Sequence, residues 1–153
     1  MSDMKPKAAA GVTPHLVCKD AAAAIDFYKA AFDAHEMVRL PDKDGRLMHA
    51  ALAINGGMVM LVDEFPGMGE GSIASPTTLK GTPVTLHLSV PDATAAIAKA
   101  AAAGAVVTMA ATPMFWGDLY GMVTDPFGHV WSIATPMREP MTSAELAVAL
   151  QEA

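Results

Sequence analysis

Two histidines occupy matching places in two similar stretches of this chain. His15 lies in PHLVCKDAAAAI (14–25) and His87 lies in LHLSVPDATAAI (86–97). An offset of 72 aligns the two stretches with seven of their twelve positions identical. An imidazole can move a proton near pH 7, bind a metal ion or hydrogen-bond a ligand. The spacing therefore predicts two related chemical positions, one in each copy of a repeated unit.

The same offset relates features that flank these stretches. Asp20 and Asp92 each precede an alanine-rich segment as predicted helix N-caps, and Gly56 and Gly128 each end a predicted turn. Each copy has the pattern of a strand, a helix and three further strands. The sequence therefore predicts an α+β fold in which tandem βαβββ modules form a curved mixed-sheet cup with helices on the outer face.

These patterns divide the chain into four parts within a single compact domain. They are a first module (12–66), an inter-module linker (67–82), a second module (83–136) and a C-terminal tail helix (137–153). The linker is long for a compact domain, and its glycines would also suit a lid over the cup. Thr142 and Glu145 form a predicted capping box, and we expect the tail helix to pack on the body or on a second subunit.

Strand periodicity predicts which side chains face the cup. Alternate residues of a strand point to opposite faces. In the first strand, Leu16 and Cys18 share an apolar face that suits packing under the helix, so Thr13 and His15 should face the cup. The same alternation in the fifth strand predicts that Thr85 and His87 face the cup.

Two motifs connect this pattern with a known family. AIDFYKAAF lies in the first predicted helix and TDPFGHVWSI lies near the end of the second module. Together with the tandem βαβββ repeat, they resemble the vicinal oxygen chelate superfamily, which includes glyoxalase I, extradiol dioxygenases, fosfomycin-modifying enzymes and bleomycin-binding proteins. MFWGDLYGMVTDPFGHVW resembles the PhnB-like branch. The resemblance covers about residues 12–136.

The resemblance also bears on metal binding. Metal-using members of the superfamily take four ligands from the first and fourth strands of each module. The matching positions here are Thr13, Met60, Thr85 and Ser132. None of these side chains is a usual ligand for a divalent first-row metal, which prefers imidazole or carboxylate. We therefore expect no cofactor at the family positions.

A shifted metal site is the alternative. It would use His15, His87, His49 and Glu64 to hold a divalent ion such as zinc, manganese, iron or nickel. The ion would act as a Lewis acid in a lyase, isomerase or dioxygenase reaction. A second alternative is a metal-free enzyme in which His15 or His87 is the catalytic acid or base.

The reading we favour is a cup that binds an aromatic or partly polar small molecule. The segment 111–121, ATPMFWGDLYG, is predicted to be a loop that stacks on a flat ligand, with Asp118 or Tyr120 holding a polar edge. The predicted ligand-binding residues are Thr13, His15, His49, Met60, Thr85, His87, Phe115, Trp116, Asp118, Tyr120 and Ser132.

Composition limits the partners. The 10 Lys and Arg against 16 Asp and Glu give a net charge of −6, which argues against nucleic acid. No apolar run reaches the roughly 18–20 residues of a membrane span, and the first residues lack the apolar core of a secretion signal. The single cysteine, Cys18, suits a reducing cytoplasm. We expect a cytoplasmic protein that forms a homodimer.

Overall fold

A computed structural model describes residues 11–66 and 73–153. The first module contains β1 (His15–Cys18), α1 (Ala21–Phe32), β2 (His35–Pro41), β3 (Leu47–Ile54) and β4 (Gly57–Asp63). After the short helix α2 (Pro76–Leu79) come β5 (Thr85–Ser89), α3 (Ala93–Ala103), β6 (Val106–Pro113), β7 (Asp118–Thr124) and β8 (Val130–Pro136). The tail helix is α4 (Ser143–Glu152). The predicted βαβββ repeat is confirmed, while residues 67–72 of the linker and the first ten residues lie outside the described part.

Each module has its own four-stranded mixed sheet. The strand orders are β1-β4-β3-β2 and β5-β8-β7-β6, so the two modules have the same topology. In each sheet the first strand pairs in parallel with the fourth, and the remaining pairs are antiparallel. Within the described residues no ladder joins β1 to β5. The predicted α+β fold of tandem βαβββ modules is confirmed, and its mixed-sheet cup consists of two separately hydrogen-bonded four-stranded sheets.

The strand faces follow the predicted alternation. Leu16 and Cys18 are buried under α1, whereas His15 is exposed on the other face. In β5, Leu86 and Leu88 are buried and His87 is exposed. The apolar core lies between sheets and helices, so the histidine face of each sheet is the open, concave side.

The two long helices begin at the predicted caps. Asp20 accepts a hydrogen bond from the backbone nitrogen of Ala23 at 3.0 Å, and Asp92 accepts one from Ala95 at 3.1 Å. These bonds satisfy amide groups that have no partner inside the helix. The α3 helix ends at Gly104, which takes a positive φ of 123°.

A second pair of side chains fixes the start of each helix. The buried Asp63 carboxylate accepts from the backbone nitrogens of Ala21 at 2.8 Å and Leu47 at 2.6 Å. At the equivalent place in the second module, the Thr135 hydroxyl accepts from the backbone nitrogen of Ala93 at 2.7 Å. The fourth strand of each module thus positions the helix that covers it.

Two hydrogen bonds join the modules reciprocally. The turn residue Asn55 donates from Nδ2 to the backbone oxygen of Ser89 in β5. His129, just after the second-module turn, donates from Nε2 to the backbone oxygen of Val17 in β1 at 2.9 Å. Val17 and Ser89 are separated by the offset of 72, so each module's turn holds the same carbonyl of the other module's first strand.

One further contact between the modules has no symmetric counterpart. The buried Asp125 carboxylate accepts from the Tyr28 hydroxyl at 2.5 Å and from Trp131 Nε1 at 2.9 Å. It also accepts from the backbone nitrogens of Phe127 and His129. Burial, followed by the Asp125 charge, raises the pKa of Tyr28 well above its usual value. Four donors therefore satisfy a carboxylate that would otherwise be costly to bury.

The two predicted turns also form. Asn55 and Gly56 both have positive φ, 44° and 87°, in a two-residue hairpin loop between β3 and β4. In the second module, Gly128 has a φ of 87° and donates its backbone N–H to the Asp125 oxygen at 3.1 Å. Asparagine and glycine suit these positions because they tolerate positive φ.

The tail helix extends from the body. Thr142 caps α4 as predicted, because its hydroxyl accepts from the Glu145 backbone nitrogen at 3.2 Å. The Glu145 carboxylate accepts from the Thr142 hydroxyl at 3.0 Å rather than from the Thr142 backbone N–H, so only half of the predicted capping box forms. None of the α4 residues is buried, and Val148 and Leu150 are 57% and 60% exposed. Packing of α4 on the body is therefore not observed, and packing on a second subunit stays a prediction. None of the helices in the described ranges is long and apolar enough to cross a bilayer.

Candidate functional site

The concave faces of the two sheets carry matching side chains. In the parallel ladder of the first module, His15 lies opposite Met60. In the second module, His87 lies opposite Ser132. Both members of these pairs are separated by the offset of 72. Each predicted histidine is thus directly beside one of the fourth-strand positions named by the resemblance.

A third side chain completes each set. Met60 pairs with Ala51, nine residues before it, whereas Ser132 pairs with Met122, ten residues before it. Because the second turn is one residue longer, the third strands align with an offset of 71. His49 of β3 therefore occupies the place that Tyr120 has in β7.

We call these sets the first trio, His15, Met60 and His49, and the second trio, His87, Ser132 and Tyr120. The ring centroids of His15 and His49 are 6.1 Å apart, and those of His87 and Tyr120 are 6.2 Å apart. The ring planes differ, at 86° in the first pair and 18° in the second. The same backbone positions therefore hold rings at the same separation but with different chemistry.

The second trio belongs to a connected polar and aromatic surface. His87 Nδ1 lies 2.7 Å from Ser132 Oγ, in a hydrogen bond that restricts the imidazole. Tyr120 contacts Trp116 edge to face at 5.4 Å between ring centroids. Trp116 in turn donates from Nε1 to the Asp118 carboxylate at 3.0 Å. Phe115 lies against Trp116, with a centroid separation of 5.1 Å and an interplanar angle of 87°.

The segment 111–121 is not the loop that the sequence predicts. Strand β6 continues to Pro113 and β7 begins at Asp118, so only residues 114–117 form a connection. Met114 donates its backbone N–H to the Asp118 oxygen at 2.8 Å, and Gly117 has a φ of 105°. These bonds close a tight hairpin, and Tyr120 is consequently held on the sheet rather than on a mobile loop.

The first trio lacks such a network. Burial, followed by repulsion from His49, lowers the pKa of His15. Histidine-ring hydrogen bonds within residues 11–66 and 73–153 are those of His87 and His129. Among the described residues, neither ring of the first trio has a hydrogen-bond partner. Met60 and His49 are half-buried.

Two cavities flank the gap between β1 and β5. One, of about 330 Å³, is lined by Thr85 and His87 from β5 and by Pro14 and Met58 from the first module. The other, of about 310 Å³, is lined by His15 and His129 together with Leu79, residues 81–84 and Leu86. Pro14 and Met58 were not among the predicted site residues. Met58 lies two residues before Met60 on β4. The strand alternation that places Met60 on the cup face therefore places Met58 there too.

The four residues of the shifted metal site are not gathered together. The Glu64 carboxylate accepts from the Ser75 backbone nitrogen at 2.9 Å, from the Ser75 hydroxyl and from the Thr78 hydroxyl, which lowers its pKa. In the described part of the chain, no group of three or more His, Cys, Asp or Glu side chains is spaced to hold a metal ion.

The family metal positions present neutral, weakly donating groups. Thr13 precedes β1, Thr85 begins β5, Met60 offers a thioether, and the Ser132 hydroxyl is engaged by His87. This donor set does not fit a divalent first-row ion, which prefers imidazole or carboxylate. The four family positions therefore do not form a binding site for such an ion. Cys18 is also unsuited to chemistry, because burial raises the pKa of its thiol.

Known proteins share this architecture. The chain is 56% identical over 128 residues to an uncharacterized protein of Mycobacterium bovis, an alignment that covers 84% of each chain. It is 35% identical over 120 residues to an uncharacterized protein of Arabidopsis thaliana, covering 72% of this chain and 69% of that one. The X-ray structure of that Arabidopsis gene product has a TM-score of 0.65 and 30% identity, covering 83% of this chain and 99% of that chain.

A more distant solved structure is the putative 3-demethylubiquinone-9 3-methyltransferase, PhnB protein, of Bacillus cereus. It has a TM-score of 0.61 and covers 82% of this chain and 99% of that chain, but its 17% identity shows a shared fold only. Residues 10–133 match the Glyoxalase/Bleomycin resistance protein/Dioxygenase superfamily. With its tandem βαβββ modules and the match over most of its length, the chain belongs to this superfamily.

Proposed function

We propose that the chain binds a flat, partly polar small molecule on the concave face of its second module. The observation that carries the proposal is the continuous surface of His87, Ser132, Tyr120, Trp116 and Asp118. Aromatic faces supply apolar contact area, and the imidazole and carboxylate supply hydrogen bonds at defined places. Such a surface suits a planar ring system with a polar edge.

The neighbouring cavity supports the same proposal. His87 borders the cavity of about 330 Å³ between β5 and the first module. A pocket of this volume is at the lower end of the range for small-molecule sites, about 300–1,000 Å³. A ligand that rests on Tyr120 and Trp116 can extend past His87 into this space.

We also propose that the chain belongs to the PhnB-like branch, lies in a reducing cytoplasm and forms a homodimer. The MFWGDLYG segment and the shared fold with the Bacillus cereus protein support the branch. The single cysteine, buried at Cys18, suits a reducing compartment. Val38 and Leu40 on β2 are 47% and 54% exposed, and a second copy would cover such side chains. Light scattering at several protein concentrations would measure the mass, and a monomer throughout would exclude the dimer.

Tryptophan fluorescence provides the test of ligand binding. Trp131 is 3% exposed in the core, so a bound planar compound should quench Trp116 selectively. A panel of planar heteroaromatic compounds, with and without a hydrogen-bonding edge, would be titrated into the protein. Tyr120→Leu and His87→Ala should each raise the Kd about 10-fold, because each removes one stacking or hydrogen-bonding contact. The exposed His35→Ala on β2 is the matched control and should leave the Kd unchanged.

The outcomes are distinct. Saturable quenching that is lost in Trp116→Phe, in which only Trp131 remains, supports the site. Quenching that persists in Trp116→Phe, or a Kd that Tyr120→Leu and His87→Ala leave unchanged, would exclude the second-module surface as the binding site.

Proton transfer by His87 is a second candidate function. The bond from Ser132 holds the ring through Nδ1, which leaves Nε2 to face a ligand as a base or an acid. Any compound found by quenching would be incubated with the protein and followed by mass spectrometry and by solvent deuterium exchange. Turnover that His87→Ala abolishes while binding persists would identify an enzyme, and binding without turnover or exchange would exclude this role.

A further inference from the structure

The first trio is chemically unlike its counterpart in the second module. Where the second trio has a tyrosine and a serine, the first has His49 and Met60, both beside His15. In the second trio, a hydrogen bond joins His87 Nδ1 to Ser132 Oγ. The two imidazoles of the first trio have no such bond in the described ranges. Within the described residues, two imidazoles without a ring hydrogen bond therefore lie on the same face as a thioether.

The separation of the rings suits one shared ion. The His15 and His49 centroids are 6.1 Å apart, with the planes nearly perpendicular. Two imidazoles that bind one ion through metal–nitrogen bonds of about 2 Å have ring centres about 5–6.4 Å apart, depending on the angle at the ion. Met60 lies opposite His15 in the ladder and on the same face, so its thioether comes from the strand between the two rings. Neighbouring strands are about 4.8 Å apart, within reach of a methionine side chain.

The donor atoms select the type of ion. Two neutral imidazoles and a thioether carry no negative charge, and no third His, Cys, Asp or Glu joins them within the described residues. Soft thioether ligands favour Cu⁺ and similar ions, whereas hard divalent ions favour carboxylates and water.

We propose that His15, His49 and Met60 form a binding site for a soft monovalent ion, Cu⁺ or Ag⁺, on the concave face of the first module. The site is distinct from the proposed ligand surface of the second module and shares only Met60 with the four family positions. The exposed side of His15 gives the ion access from solvent. No redox step is required, because the ion binds in the monovalent state.

The first experiment measures Cu⁺ binding to the full chain without oxygen, in competition with the chromophoric chelator bicinchoninate. Ag⁺ is titrated separately as a redox-inert probe. We expect one ion per chain. His15→Ala and His49→Ala should each weaken binding by about 100-fold or more, since even outer partners of metal ligands contribute 10–100-fold. Met60→Leu, which keeps the side-chain volume, should weaken it by about 10-fold.

Two variants serve as matched controls. Met48→Leu changes an exposed methionine next to His49 in sequence, and His35→Ala changes a histidine on the edge strand β2. Both should bind Cu⁺ as the unchanged protein does. Binding that survives His15→Ala or His49→Ala, or that falls equally in Met48→Leu and Met60→Leu, would overturn the proposal.

Exchanging the trios gives a stricter test. His49→Tyr combined with Met60→Ser installs the second-module side chains in the first module and should abolish the site. Tyr120→His combined with Ser132→Met does the reverse and should raise the stoichiometry from one ion to two. A reverse exchange that leaves the stoichiometry at one would show that the trio does not define the site.

NMR of the histidine side chains in the unaltered protein tests the proposal even if a variant does not fold. Addition of one equivalent of Ag⁺ should shift the resonances of His15 and His49 and leave those of His35 and His87 in place. Shifts confined to other histidines would overturn the proposal. Ligand quenching of Trp116 is measured independently, so the ion site and the proposed function can fail separately.

Discussion

The two modules use one scaffold for different purposes. Positions that agree between them, such as the caps Asp20 and Asp92 and the turn glycines Gly56 and Gly128, build the fold in both halves. Positions that differ include those of the two trios on the concave faces and several on the helices. The comparison teaches that duplicated residues hold the backbone, while the substituted ones give each half its own chemistry.

The helices illustrate the difference most clearly. The α1 helix carries Phe27, Tyr28 and Phe32, which pack against one another and, through Tyr28 and Phe32, against Trp131 of the second module. The α3 helix is mostly alanine and has Ala100 at the position equivalent to Tyr28. Small side chains on α3 let the two helices approach closely, and the large ones on α1 supply the apolar area. The core between the modules is thus provided unequally by its two halves.

The largest expected effect tests this asymmetry at Asp125. Asp125→Ala would leave the Tyr28 hydroxyl, the Trp131 indole and two backbone amides without their acceptor, at a cost of about 4 kcal/mol. Asp63→Ala removes an acceptor from two backbone amides only, and we expect about 2 kcal/mol. Urea unfolding followed by circular dichroism would measure both. Equal losses of unfolding free energy in Asp125→Ala and Asp63→Ala would show that the Asp125 carboxylate contributes no more than the Asp63 carboxylate.

A smaller effect is expected where helix α3 meets β7. A Cβ atom on Gly121 would clash with the Ile97 side chain and would lie 2.8 Å from the Met109 backbone oxygen. Gly121→Ala should therefore cost about 1–3 kcal/mol, because a strand must shift to relieve the clash. The equivalent residue of β3 is Ala50, which is fully buried without needing glycine. Thermal unfolding would test this, and an unchanged Tm would show that the second module accommodates the methyl group.

The helix caps should be equal, since both modules use them in the same way. Asp20→Ala and Asp92→Ala each remove one hydrogen bond to a first-turn amide, and each should lower the free energy of unfolding by about 1 kcal/mol. Chemical denaturation of the two single variants and the double variant would show additive losses. A cap that contributes several times more than its counterpart would indicate that the scaffold is not equivalent at these sites.

The smallest effect concerns acid pH. The folded pKa of His15 lies below the unfolded value of about 6.5, so the unfolded chain binds more protons between these two values. The contribution of His15 to the free energy of unfolding is therefore complete above about pH 6.5 and falls as the pH drops toward the folded pKa. His15→Gln should flatten this part of the Tm profile, with His35→Gln as control. NMR titration of His49→Tyr should show the His15 pKa rising, but only partly, because burial is the larger cause.

Much of this architecture was predictable because the duplication is local. The offset of 72 identified the βαβββ units, the caps, the turns and the concave placement of His15 and His87. The equivalence of His49 and Tyr120 was hidden, because the one-residue difference in turn length moves the third strands out of the common offset. The position of Glu64 was also inaccessible, since its carboxylate binds Ser75 and Thr78 beyond a connector whose path the sequence pattern does not specify.

The segment 111–121 was misassigned for a related reason. Proline, glycine and clustered aromatic residues are typical of loops, yet here they surround a four-residue hairpin connection between paired strands. Pairing energy across β6 and β7 overrides the local composition. Most of the segment predicted to be a loop therefore lies in two paired strands.

The reciprocal bonds between the modules have a consequence for aggregation. Within the described residues, β1 and β5 have no strand on their outer edges, and such edges can recruit strands from other molecules. His129 and Asn55 occupy the outward carbonyls of Val17 and Ser89, so each edge is already engaged where a foreign strand would begin to pair. Loss of both donors would leave the Val17 and Ser89 carbonyls without these partners and available to a strand of another copy.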